Sequence, residues 1–94
     1  MKTPPDHVRT LEALRDYVLR VLCEKENLLI EQFRLQEFPL MRGESRCGMQ
    51  FLLRGPRQVQ LAAVWASEVN HLYFYDARGE RFAKQVLPHP VEAV

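Results

Sequence analysis

The stretch that decides the fold runs from residue 47 to residue 65 and reads CGMQFLLRGPRQVQLAAVW. Cys47, Met49, Phe51 and Leu53 stand at every second position, and Val59, Leu61, Ala63 and Trp65 do the same after Gly55-Pro56. A period of two places each set on one face of a strand. Pro56 brings the fixed φ that the second position of a turn requires, so the two runs predict a hairpin with an apolar odd-numbered face. A slip of one residue in either strand would turn Phe51 or Trp65 toward water, and burial of that face should therefore pin the register.

Moving toward the C-terminus, Leu72 and Phe74 repeat the alternation after a connection at Glu68-Val69-Asn70. Asp76-Ala77-Arg78-Gly79 fits a type I turn closed by a glycine at positive φ, which folds Tyr73-Phe74-Tyr75 back on Arg81 to Leu87. Pro88-His89-Pro90 should end regular structure. Moving toward the N-terminus, residues 28–41 are ambiguous. Leu28, Leu29, Ile30, Phe33, Leu35 and Phe38 scatter around a helical wheel, whereas Gln32 to Gln36 alternates with period two. The alternation favours a strand over an extension of the preceding helix, and Pro39 suits an edge strand.

Ahead of that segment, Val8, Leu11, Leu14, Val18, Val21 and Leu22 form a helical stripe, with Arg9, Glu12, Asp16 and Arg20 on the opposite side. Thr3 as a cap, Pro4-Pro5 in the first turn and Asp6 at the positive end of the dipole predict that this helix starts there. Its apolar pattern fades at Glu24-Lys25-Glu26, and Asn27 tolerates the left-handed conformation that closes a helix. The fold class is therefore α+β: one N-terminal amphipathic helix packed on one face of a four- to five-stranded antiparallel meander. With 94 residues the chain has room for one core, so residues 1–87 read as a single domain and 88–94 as a flexible C-terminal tail.

Composition narrows the function classes. Thirteen Lys and Arg against twelve Asp and Glu leave a net charge of +1, too little for a whole-molecule field that draws in nucleic acid or an anionic membrane. The apolar runs fall well short of the roughly 20 residues a spanning helix needs, and the start of the chain lacks a basic region followed by an apolar one. These features predict a cytoplasmic protein without membrane contact. Cys23 and Cys47 form no CxxC motif and read as free thiols. His7, His71 and His89 share no metal-ligand spacing with each other or with the cysteines, so neither metal nor cofactor is expected. Ser45 and Ser67 lack a nucleophile-elbow context, only four glycines are present and none builds a phosphate-binding loop, and Glu24 and Glu26 sit at a helix end. An enzyme is not expected.

Two groups of residues carry chemistry. Residues 42–57 hold Arg42, Arg46, Arg54 and Arg57 against Glu44 alone. If the Gly55-Pro56 turn is tight, Arg54 and Arg57 flank it and could grip a phosphate or carboxylate, although arginines beside hairpin turns also serve solubility. Tyr73 and Tyr75 point opposite to Phe74 and should share a face with Gln50, Gln58 and Gln60. Such tyrosines suit a protein interface, including a twofold contact with a second copy. They also fit, more loosely, a stacking platform for single-stranded nucleic acid.

The elements Cys47-Gly48, Arg54-Gly55-Pro56-Arg57, Trp65, Phe74-Tyr75-Asp76 and Gly79-Glu80-Arg81-Phe82 together resemble a pattern in a group of small bacterial proteins. The resemblance covers about the second half of the chain. That group has no assigned activity, so the resemblance implies a compact domain and transfers no site residue. The expected function is a small non-enzymatic module that binds a protein partner or itself, with an accessory RNA- or DNA-binding domain as the alternative.

Overall fold

Thr10 starts the helix. In the computed structural model, which describes residues 4–92, helix α1 spans Leu11–Lys25. Thr10 is extended at φ −134° and its hydroxyl accepts the amide of Ala13 at 3.1 Å. The upstream start expected from Thr3 to Asp6 is not found. Thr3 lies outside the described residues, and Pro4 to Arg9 are not helical. The reason is tertiary: Thr10 forms a parallel bridge with Glu92, Leu11 N donates to Glu92 O at 3.0 Å, and Glu92 N donates to Arg9 O at 2.9 Å. Those bonds satisfy an extended backbone where further helix would otherwise form. Val8 is fully buried all the same, reaching the core from outside the helix. At the other end the expectation holds, for Asn27 takes φ 58° and Leu28 N donates to Cys23 O at 2.8 Å.

After a 3-10 turn at Ile30–Gln32, the ambiguous segment becomes strand β1, Leu35–Arg42. The remaining strands are β2 (Ser45–Arg54), β3 (Gln60–Ala66), β4 (His71–Tyr75) and β5 (Arg81–Val86). They lie side by side in chain order, each antiparallel to the next. β1 is thus an edge, where Pro39 is tolerated because only one side of its backbone must be paired. β1 and β2 slip register between Leu40 and Met41, and Cys47 is left without a partner across the pair. Cys47, which the alternation assigns to the core, is only half-buried, whereas Cys23 in α1 is buried; both are free thiols.

The predicted inner face forms the core: Phe51, Leu53, Leu61, Ala63, Leu72 and Phe74 are fully buried, and Trp65 nearly so. Leu14, Val18 and Leu22 cover them from α1. Tyr17, absent from the expected stripe, joins this layer and meets Phe74 edge-on, with ring centroids 6.4 Å apart. It lies three residues after Leu14 and four before Val21, so it belongs to the same face. Burial first, then the nearby Glu24 charge, pushes its phenol above the ordinary value. Glu37, on the inner side of β1, pairs with Arg15 of α1 and ties the edge strand to the helix.

Two turns set where the charged side chains at the strand ends stand. Gly79 closes the Asp76 turn at φ 80°, and Asp76 Oδ1 accepts the amides of Arg78 and Glu80 at 2.9 and 3.0 Å. In the Gly55-Pro56 turn, Gly55 N donates to Val59 O at 2.8 Å, while Arg57 and Gln58, not the glycine, take the positive φ values of 57° and 64°. Regular structure ends at Val86, but residues 88–92, read from sequence as part of the 88–94 tail, make specific bonds. Besides the Glu92 contacts, Asn70 Nδ2 donates to His89 O at 2.7 Å, and Arg9 Nη2 donates to His89 Nε2 at 3.1 Å. No helix among the described residues is long and apolar enough to cross a membrane.

Candidate interaction face

With α1 on one side, the five strands present their other side to solvent, and the register defines its composition row by row. The central row is Phe38, Gln50, Val64, Tyr73 and Lys84. On one side of it lies Gln36, Leu52, Ala62, Tyr75 and Arg81; on the other, Leu40, Gly48, Ala66, His71 and Val86. Phe38 and Val86, on opposite edge strands, are 44% and 59% exposed, so among the described residues nothing covers either margin of the face.

Gly48 lets the sheet close beneath this face. A Cβ at that position would stand 2.0 Å from the carbonyl oxygen of Trp65 on the neighbouring strand, a distance that only a missing side chain permits.

Tyr73 organises the β4–β5 side. The Arg81 guanidinium carbon lies 4.5 Å from its ring centroid and Lys84 Nζ lies 5.9 Å from it. The Tyr73 hydroxyl and His71 Nδ1 are 3.1 Å apart, within hydrogen-bond distance. Arg81 reaches the tyrosine side because β4 and β5 slip register after Phe74, setting Ala83 opposite Phe74 but Arg81 opposite Tyr75. Phe82, the extra residue, turns inward to Phe74, with ring centroids 6.0 Å apart. Sequence reasoning missed Arg81 and Lys84. Alternation from Tyr73 across the Asp76 turn signals Lys84, whereas a bulge within β5 has no such signature.

The sequence-predicted residues separate. Tyr73 and Tyr75 do share a face with Gln50 and Gln60, but Gln58 falls in the turn before β3. Arg42 and Arg46 lie at the β1–β2 hairpin, where Arg42 Nη1 pairs with Glu68 Oε1 at 2.9 Å. Arg54 is the last residue at the opposite end of β2 and Arg57 lies in the turn just after it, about 30 Å away for a strand of this length. The basic run is therefore not one patch. Arg54 and Arg57 also stand apart from Tyr73, since Arg54 pairs with Gln60 beyond the Tyr75 row and two strands away.

Other chemistry finds less support in the geometry. The cleft between α1 and β5 is bounded by Val21, Glu24, Lys25, Phe82 and Ala83, with Lys25 Nζ held 5.0 Å over the Phe82 ring. Burial, then the charge of Glu31, pushes the Cys23 thiol above its ordinary value, which disfavours the reactive thiolate. Among the described residues no three His, Cys, Asp or Glu side chains gather as a metal site. Comparison with protein-family models, curated proteins and solved structures found no match to this chain.

Proposed function

We propose that this protein is a small interaction module that seats a protein partner on the open face of its sheet. The observation that carries the reading is the band of Phe38, Leu40, Leu52, Val64, Tyr73 and Val86 on the side away from α1, exposed at Phe38 and Val86 and half-buried at the four between. Aromatic residues and arginine are the types enriched in protein interfaces, and an apolar face left in water gains free energy when covered. Stacking of nucleic-acid bases is less well supported. One face of the Tyr73 ring is taken by Arg81, and of the arginines that would grip phosphates Arg54 lies two strands from Tyr73 at the far end of β2 and Arg57 in the turn beyond it.

Sedimentation velocity over a concentration series tests the self-associating form of the reading, in which Phe38→Arg should turn a dimer into a monomer. A protein that stays monomeric takes a different partner on the same face. The whole reading fails if Phe38→Arg and Val86→Arg unfold the domain as a core truncation does, because the face would then be covered by the chain itself.

A further inference from the structure

The open face is electrostatically one-sided. Arg54, Arg81 and Lys84 project on it, yet none of its strand positions is Asp or Glu, although the chain as a whole carries almost as many acids as bases. The one carboxylate on an inner strand position beside it, Glu37, is turned away and paired with Arg15. We infer that the partner is an acidic protein segment whose Asp or Glu side chain is received by Arg81 and Lys84 beside Tyr73, while its apolar side chains cover Val64 and Phe38. The inference rests on the open face being the docking surface and adds the chemistry of what docks there.

Tyr73 is the reason this corner suits a carboxylate. A guanidinium lying over an aromatic ring is held in one plane, so less side-chain freedom is lost when its N–H edge forms two parallel bonds to a carboxylate. Lys84 supplies a second cation over the same ring. The bonding edge of Arg81 stays free for this, since Arg81 is exposed. A second copy is a poorer occupant. A face-to-face twofold contact would lay Arg81 and Lys84 against the same carboxylate-free surface, leaving desolvated cations unpaired. Single-stranded nucleic acid is also poorer, because these few cations fall short of the several phosphate contacts such binding relies on.

The test uses the full chain, immobilised, with a phage-displayed library of random dodecapeptides as the probe. Selected peptides should be enriched several-fold in Asp and Glu over the unselected library. Synthetic versions should bind Arg81→Gln/Lys84→Gln about tenfold or more weakly, lose about as much when their own acids become Gln, and lose little more when both changes are combined. Arg81→Lys, which keeps the charge but not the planar fork, should retain only part of the affinity. Circular dichroism and the urea midpoint confirm folding, and Lys84→Gln alone serves if the double variant is destabilised. Peptides without acidic enrichment, or with acids that do not couple to Arg81 and Lys84, overturn the inference. If such peptides still need Phe38 and Val86, the open-face reading stands without it. If nothing is selected, or binding ignores Phe38 and Val86, both fall. Oligothymidylate binding that is tighter than the peptides and depends on Arg81 assigns the corner to phosphate and also overturns the inference.

Discussion

The indole of Trp65 donates its Nε1 proton to Oδ1 of Asn70 at 3.0 Å, tying the core to the turn between β3 and β4. Asn70 sits at φ 55°, accepts Leu87 N on its carbonyl at 3.0 Å, and sends Nδ2 to His89 O at 2.7 Å. Asn is one of the few side chains that tolerates the left-handed region. Asn70→Ala should therefore cost about 2–4 kcal/mol, combining backbone strain with a Trp65 N–H left unpaired. Asn70→Asp, which keeps the acceptor but loses the donor to His89, should cost less. Urea denaturation followed by Trp65 fluorescence measures both, and equal costs would show that the acceptor is irrelevant.

Gly48→Ala should destabilise the domain by about 3 kcal/mol or more, at the upper end of overpacking costs. The new methyl would meet backbone, the Trp65 carbonyl at 2.0 Å, and backbone cannot rotate away as a side chain can. The β2–β3 ladder would have to part at that point. A variant whose thermal midpoint matches that of the parent would contradict the close approach.

Phe51 and Phe38 belong to paired strands and should behave oppositely. Phe51 is fully buried under α1 whereas Phe38 is 44% exposed on the open face. Phe51→Ala is expected to remove about 3–5 kcal/mol, a large part of the roughly 5–15 kcal/mol typical of a domain. Phe38→Ser should leave the unfolding midpoint nearly unchanged and weaken partner binding. A chemical-denaturation pair on the two variants decides it.

Asp76 makes stability depend on acid pH. The amide of Glu80, helped by that of Arg78 and by the charges of Lys25 and Arg78, holds its carboxyl below the ordinary value of 3.8. As pH falls below that value the unfolded chain takes up the proton first, so the folded state loses stability until its own lowered pKa is passed. The contribution is thus full above the unfolded pKa and absent below the folded one. Asp76→Asn should remove this part of the pH dependence, and the two proteins' urea midpoints should converge at the acid end. Parallel curves down to about pH 2 would refute the assignment.

The helix start is open to the same kind of test. Thr10→Ala removes the hydroxyl that accepts Ala13 N and should cost about 1 kcal/mol. Asp6→Ala, at a site outside α1, should stay within about 0.5 kcal/mol of the parent. A larger loss from Asp6 than from Thr10 would place the start upstream after all.

The sequence alone determined what its periods encode. Alternation at Met49, Phe51 and Leu53, at Leu61, Ala63 and Trp65, and at Leu72 and Phe74 defines the inner side of three strands, because a one-residue slip would put each set in water. The stripe from Leu11 to Leu22 marks the helix that covers them, and Asn27 and Gly79 mark backbone positions with positive φ. Only the tertiary structure decided the rest. Thr10, not Thr3, begins α1 because Glu92 returns to bridge Thr10, which is extended, a long-range contact that no local pattern encodes. The same holds for the open face. Arg81 comes to lie over Tyr73 through a bulge in β5, and the Arg42 to Arg57 run divides between two ends of a long strand. Local periodicity records which side of a strand faces the core, since burial rewards every second residue alike. Which charges then meet on the other side depends on register and bulges, and these are set by the packing of the whole sheet.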